Sequence, residues 1–328
     1  MALARRAGEA RTAMKIEERT LTIGVLMGGC SRERKVSLES GQAVAEALAD
    51  LGHDVRPSDV RPGDLVPDLF RGMDVAFLAL HGAWGEDGQV QAVLDGLGVC
   101  YTGSGPEASR LAMDKPAAKQ RFSEAGVPTP AFRLAAPGDE VMLDEAFRTL
   151  GPGLVVKPVA EGSSIDVAMC SGRRPLRAAA KVVWKRGEPA LVERRIKGRE
   201  LTVAVLGRDA LPIIEIRVPR GWYNYRAKYK SRRTKFVFEH SLSADLEARV
   251  VEVSLAAHDA LGCRDLSRVD LILDADGQPQ VLEVNTIPGF TSHSLVPKAA
   301  ARAGMSFGRL CQRIVALALE RRRIAPDR

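Results

Sequence analysis

Two short stretches near the carboxyl end place acidic side chains where they could hold a doubly charged cation. Arg268-Val269-Asp270-Leu271-Ile272-Leu273 and Val281-Leu282-Glu283-Val284-Asn285 both alternate polar with apolar residues, the period of a strand with two unlike faces. Asp276-Gly277 lies between them, and this dipeptide is the strongest short signal for a tight hairpin. With those two residues as the turn, Asp270 faces Glu283 and Arg268 faces Asn285. Opposed residues point to one face of the ladder, and two opposed carboxylates repel. A hard divalent cation removes that repulsion, because Asp, Glu and Asn oxygens are ligands that magnesium accepts. A solvated charge cluster with Arg268 as counter-ion also satisfies the pattern, so the hairpin alone leaves both readings open.

Other residues could handle anions. Lys157 closes an apolar run and precedes Pro158-Val159-Ala160-Glu161-Gly162-Ser163-Ser164. A lysine beside a small loop can hold phosphate oxygens by charge and by backbone N–H groups. GxxxxGK[ST] is absent, and a strand followed by a polar turn is the commoner meaning of such a stretch. Gly28-Gly29-Cys30-Ser31-Arg32-Glu33-Arg34 precedes a helical pattern and could bind an anion at the helix start. It does not match GxGxxG, so dinucleotide binding is unsupported. His81 follows a buried strand at its carboxyl end, where open sheets take ligands, although a lone histidine is more often structural. His53, His240, His258 and His293 have no zinc spacing, and no GxSxG elbow exists. Residues 226–235 (RAKYKSRRTK) hold six basic residues and no acid. With Tyr223, Tyr225 and Tyr229 interleaved, they suit a lid over phosphates, a nucleic-acid patch or a solvated loop.

The elements that must position these groups follow from periodicity. Strands are expected at 21–27, a segment ending near 60, and 75–80, with helices at 37–51 and 89–97. Alternating strands and helices joined by short glycine loops imply a parallel sheet covered by helices. One long helical pattern runs from Gly105 to Gly126, and Val127-Pro128-Thr129-Pro130 cannot continue it. Strands follow at 154–157, 167–170 and 190–196, with helices at 143–150 and 176–184. The last third reads as strands at 200–206, 211–218, 266–273 and 280–285, and helices at 244–262, 295–303 and 307–321.

Composition bounds the class. The chain has 328 residues, 45% apolar and 27% charged, which excludes collagen, low-complexity and disordered classes for its bulk. The longest solid apolar runs, 75–80 and 314–319, are six residues each, against about 20 for a membrane-spanning helix. A net charge of +7 fits an anionic small molecule, a nucleic acid or no particular partner, and with 5% aromatic residues a base-stacking surface is not expected. Five scattered cysteines without CxxC read as reduced thiols in a cytosolic protein. Residues 1–20 carry no apolar stretch fit for a secretory signal. They read as a disordered extension, or as a start placed too early with Met14 the true one.

Seven stretches occur in a telling order: GVLMGGCSRERKVSLESG (24–41), LHGAWGEDGQVQAVLDGLGVCYTGSG (80–105), AMDK (112–115), VVKPVAEGSS (155–164), LVERRIKGRELTVAVLG (191–207), YNYRAKY (223–229) and RVDLILDADGQPQVLEVNTIPGFTSHSLVPKAA (268–300). They cover nearly everything after residue 20, and the chain so resembles the D-alanine–D-alanine ligase family of the ATP-grasp superfamily. The resemblance implies an α/β chain with α+β elements in a three-domain ATP-grasp fold. An N-terminal parallel α/β substrate domain would span 21–104, a central ATP-grasp domain 105–192 and a C-terminal ATP-grasp catalytic domain 193–328. The implied reaction joins two D-alanines for peptidoglycan precursor synthesis. ATP phosphorylates the first carboxylate, and the second amine attacks the acyl phosphate.

The resemblance also implies site roles. Asp270, Glu283 and Asn285 would hold two Mg²⁺ (or Mn²⁺) ions on the ATP phosphates. Lys115 and Lys157 would contact those phosphates, with Ser164 and Leu282 also in the nucleotide site. Glu193, Arg194 and Ile196 match the adenine-side linker, Glu200 the ribose contact, and Lys228 a lid over the γ-phosphate. Glu33 would hold the first ammonium and link to Ser163 and Tyr229 in a triad that shuts the lid, with His81 near the same substrate. Arg268 and the backbone N–H of Gly289 would stabilise the oxyanion, and Ser294 would bind the second carboxylate, with Leu295 in the same substrate site. The implied partners are ATP and D-alanine in the cytoplasm, with no nucleic acid and no membrane, and a homodimer is compatible. Several positions depart from the family pattern: Lys35, Asp166, Arg194, Asn224, Arg226 and the region of Glu239. Asp166 stands where glycine is usual, so it is expected to repel phosphate and Asp166→Gly to lower the KM for ATP. The alternatives are D-lactate or D-serine as the second substrate, or a nucleotide-binding homologue impaired in catalysis. Tyr229 favours an amine acceptor.

Overall fold

Strands β1 (Thr22–Gly28), β2 (Asp54–Val60) and β3 (Val75–Leu78) form a parallel sheet in the order β2-β1-β3. Ile23, Val25 and Leu26 of β1 are all buried, which is why the strand reads as a solid apolar run rather than an alternating one. A helix, Arg34–Ala49, crosses from β1 to β2 and turns Ser37, Ser40, Gly41, Val44 and Leu48 inward. At Gly41 an added Cβ would lie 2.5 Å from Met27 Cβ, so glycine sets how closely this helix approaches the sheet. The structure is a computed structural model that describes residues 19–162, 164–219, 221–224, 227–228, 233–291 and 294–324, with side chains to 322. Residues 1–18 of the expected extension, Ser163 and Tyr229 lie outside the described residues.

The single helix expected after Gly105 is two, Pro106–Met113 and Lys115–Glu124. Asp114 breaks the run with an extended backbone, and its Oδ1 accepts from Ala117 N at 3.0 Å, capping the second helix. Pro116 in the first turn suits the same restart. The break makes Lys115 the first residue of the new helix, where it faces the site described below.

The middle of the chain forms an antiparallel sheet of β4 (Phe132–Ala135), β5 (Leu154–Pro158), β6 (Ala168–Cys170) and β7 (Ala190–Arg194), ordered β4-β7-β5-β6. Helices Glu140–Leu150 and Arg173–Trp184 cover it through Leu143, Ala146, Leu176, Ala180 and Val183. β4 was not expected from the sequence, because four residues at a sheet edge carry almost no periodicity.

The last sheet comprises β8 (Gly198–Leu206), β9 (Asp209–Ala210), β10 (Ile214–Arg217), β11 (Lys235–Val237), β12 (Leu266–Asp274) and β13 (Pro279–Asn285). It is antiparallel, ordered β11-β10-β8-β12-β13, with β9 paired to β8. The strand expected at 211–218 is shortened to β10, and β9 is a separate two-residue strand before it. Pro212 lies between them and has no N–H to give the ladder. Val269, Leu271 and Leu273 are buried in one core with Val250 and Ala257 of helix Ala244–Ala260, which leaves the other face of β12 to its polar residues. The final helix, Phe307–Ile324, puts Leu310, Ile314 and Val315 into one core with Val25, Val44 and Leu48. Among the described residues no helix is long and apolar enough to cross a membrane.

Candidate active site

The β12–β13 hairpin reaches the expected pairing by an unexpected route. Arg268 pairs with Asn285 and Asp270 with Glu283, but Leu271 pairs with Val281 and Leu273 with Pro279. The turn holds three residues, Ala275-Asp276-Gly277, closed by Asp274 N donating to Gln278 O at 3.1 Å. Gly277 has φ 73°, the left-handed position such three-residue loops require. One residue more in the turn is offset by a bulge at Leu282, which restores the register before the carboxylates.

Around that pair the charges interlock. Arg268 Nε and Nη2 donate to Asp270 Oδ1 and Oδ2 at 2.9 and 2.7 Å, and Thr202 Oγ1 donates to Oδ1 at 2.6 Å. Burial would lower the Arg268 pKa, but Asp270 outweighs it and the pKa is raised. Lys115 Nζ lies 3.8 Å from Glu283 Oε2. Burial would raise the Glu283 pKa, yet Lys115, Lys228, Lys157 and Arg268 together bring it down to about 2. Glu283 is therefore an anion ringed by cations. Asn285 Oδ1 accepts from Ile287 N at 3.0 Å and keeps a lone pair. Two carboxylates and one amide are all oxygen donors, a set that would suit a magnesium ion.

A second ionic group lies on the floor of the central sheet. Glu193 of β7 is buried between Lys157 of β5 at 2.9 Å and Lys119 at 3.0 Å. Lys119 also donates to Thr129 Oγ1 at 2.6 Å, and burial pushes its pKa down to about 8. Sequence reasoning missed Lys119. The available signal was its place four residues after Lys115, on the same helix face.

Two cavities meet at the hairpin. One, of about 750 Å³, is lined by Glu33, His81, Arg268, Asn285, Gly289, Ser294 and Leu295. The other, of about 120 Å³, is lined by Lys157, Ser164, Glu193, Arg194, Ile196, Glu200, Asp270 and Leu282. Lys115, Lys228, Glu283 and Tyr223 line both. The sequence-named residues that are described therefore divide between two chambers with a common wall.

The β1 and β3 loops furnish the larger chamber. Ser31 Oγ donates to His81 O at 2.6 Å, and Glu33 N donates to Ser31 Oγ at 3.1 Å. At Gly82, with φ 76°, an added Cβ would sit 2.8 Å from Ser31 Oγ and 2.9 Å from Glu33 Oε2, so a side chain there would displace both. His81 is held at both nitrogens, Nδ1 to Ile287 O at 3.0 Å and Nε2 to Ser40 Oγ at 2.9 Å. A carbonyl only accepts, so Nδ1 carries the proton. Glu86 was not singled out from sequence. It lies 3.4 Å from His81 Nδ1, and burial, with Glu33 nearby, raises its pKa.

Known proteins resemble this chain over most of its length. A family model described as the D-ala D-ala ligase C-terminus matches residues 122–316, and one described as its N-terminus matches 61–104. The chain is 42% identical over 297 residues to the D-alanine–D-alanine ligase of Hydrogenovibrio crunogenus, covering 90% of this chain and 94% of that one. It is 44% identical over 311 residues to the ligase of Alcanivorax borkumensis, covering 94% and 98%. Among solved structures, the D-alanine–D-alanine ligase of Bacillus anthracis complexed with ATP superposes with TM-score 0.82 at 33% identity, covering 93% and 99%. The VanG D-Ala:D-Ser ligase of Enterococcus faecalis superposes with TM-score 0.81 at 29% identity, covering 92% and 100%.

Proposed function

Since the chain belongs to the D-alanine–D-alanine ligase family, we propose that it joins two D-alanines at the expense of ATP, making the dipeptide for peptidoglycan precursors. A carboxylate is a poor electrophile. Transfer of the γ-phosphoryl group to one oxygen of the first D-alanine carboxylate makes an acyl phosphate. The amine of the second D-alanine then attacks the carbonyl carbon, the C–O bond to phosphate breaks, and the amine loses its protons. ADP, phosphate and D-alanyl-D-alanine leave.

The observation that carries this reading is the common wall of the two chambers. Lys115, Lys228 and Glu283 border both, where a phosphoryl group must pass from nucleotide to amino acid. The smaller chamber takes the nucleotide, with Glu193, Arg194 and Ile196 toward the base, Glu200 at the ribose, and Lys157 and Ser164 at the phosphates. Leu282 packs there as the bulge residue. Asp270, Glu283 and Asn285 are the residues to hold two Mg²⁺ or Mn²⁺ ions, whose chemistry is to neutralise phosphate charge during transfer. In the larger chamber Glu33 binds the first ammonium, and His81 fixes the wall beside it. Arg268 and the Gly289 N–H face the developing oxyanion, and Ser294 and Leu295 take the second carboxylate. Ser163 and Tyr229, which lie outside the described residues, would be the partners of Glu33 in closing the lid.

One consequence concerns pH. Burial, then the neighbouring Asp270, push the Glu200 carboxyl up to about 7. Ribose hydroxyls donate best to an ionised carboxylate, and the ionised fraction of Glu200 grows as pH rises through that value. The kcat/KM for ATP is expected to rise as pH increases through about 7, and Glu200→Gln to remove that rise. An identical profile in the variant assigns the limb to another group.

The reading itself is tested by phosphate release from ATP with D-alanine, D-lactate and D-serine, each alone and each paired with D-alanine. Release with D-alanine alone, matched by dipeptide, is expected. Faster release with a D-lactate or D-serine pair would change the acceptor, and none with any pair would leave only a nucleotide-binding homologue.

A further inference from the structure

Asp166 stands in the loop after β5 with φ 54°, a left-handed conformation that glycine adopts freely and aspartate tolerates. An aspartate here was expected to repel phosphate. The structure gives it a partner instead. Arg186 Nη1 donates to Asp166 Oδ2 at 3.0 Å, Nη2 bonds Glu161 Oε1, and Nε lies 3.3 Å from Glu188 Oε1. One guanidinium thus bridges both ends of the 161–166 segment from outside. The arginine side chain is 21% exposed and that of Asp166 34%, so the network is half-sheltered from solvent.

The inner side of the same loop meets the site. Lys115 Nζ donates to Glu161 O at 2.8 Å, and Ser164 Oγ donates to Tyr223 O at 3.2 Å. An added Cβ on Gly162 would lie 3.3 Å from Glu33 Oε2. Gly162 lines the larger chamber, and Glu161 and Ser164 line the smaller. A loop touching both chambers must keep its place for the phosphates to find its N–H groups, and small displacements there are costly.

We propose that Arg186 is a positioning residue for nucleotide binding, clamping Glu161 and Asp166 so that the 161–166 loop stays seated over the phosphate position. This rests on the nucleotide reading above. Asp166 is then a clamp partner, and Asp166→Gly raises rather than lowers the KM for ATP. Loss of Arg186 has two effects of one sign: the loop is freed, and three carboxylates lose their shared counter-ion near the phosphates.

Asp166→Asn keeps a residue that tolerates the left-handed backbone and removes only the charge. It is expected to raise the KM for ATP about threefold, and Arg186→Met about tenfold, with kcat within about twofold in both. Arg186→Lys recovers part of the loss. In the Arg186→Met background, Asp166→Asn lowers the KM, because an unpaired charge is removed. Amide exchange measured on the ligand-free protein quickens across 159–167 in both single variants while helix Arg173–Trp184 is unchanged. That readout needs no ATP, so a clamp that holds in a protein without ligase activity is told apart from a clamp that does not exist. An unchanged or lowered KM in Asp166→Asn, an unchanged KM in Arg186→Met, or unaltered exchange overturns the proposal.

Discussion

Glu283→Gln is expected to abolish D-alanine-dependent ADP release and to leave the fold intact. The amide has the size of the carboxylate, and the side chain is half-buried at the wall between two chambers. Among the described residues its close ion pair is to Lys115, and at 3.8 Å it is too long to carry much stability. What disappears is the negative charge at the centre of Lys115, Lys157, Lys228 and Arg268, the cations that hold its pKa down at about 2. Asp270 would remain as the only carboxylate of the pair, already engaged by Arg268 and Thr202. Loss of a cation that supports phosphoryl transfer costs several kcal/mol, so kcat is expected to fall by about 10³-fold or more. Circular dichroism and the melting curve check the fold, and a coupled ADP assay checks turnover. Full activity would remove Glu283 from the metal site.

The second large effect is at Arg268. Arg268→Met takes away the donor proposed for the oxyanion, a role worth about 10²–10³ in kcat. It also leaves Asp270, whose side chain is 14% exposed, without its fork of hydrogen bonds, at a cost of about 1–3 kcal/mol of stability. Arg268→Lys separates the two. A lysine keeps the positive charge beside Asp270 but cannot make the two-pronged contact, so the fold survives while kcat still drops about 10²-fold. Thermal melts and saturating kinetics on both variants make the comparison. Wild-type kcat in Arg268→Lys would show that the arginine serves Asp270 alone.

The hairpin shows how far the sequence could be read. Alternation in β12 and β13 and the Asp276-Gly277 dipeptide led to the right opposed pairs, but through a two-residue turn. A turn one residue longer and a bulge one residue wide cancel, and neither leaves a mark on a period of two. Solid runs such as Ile23–Leu26 were legible because burial on both faces demands apolar residues throughout. The break at Asp114 hid inside a continuous helical pattern because capping is decided by a side chain, not by periodicity. Lys119, Glu86 and Arg186 escaped notice for another reason. Each gains its meaning from a partner on a different element, Glu193, His81 and Asp166 respectively. The resemblance supplied the residues of both chambers, but not that Lys115, Lys228 and Glu283 belong to each.

The central claim is that a D-alanine carboxylate is activated by phosphorylation where the two chambers meet. D-alanine carrying oxygen-18 in its carboxylate, turned over with unlabelled ATP, tests it most directly by mass spectrometry of the phosphate. One labelled oxygen in each phosphate released, with one dipeptide formed per ATP consumed, is the predicted result. Dipeptide accompanied by unlabelled phosphate would contradict it.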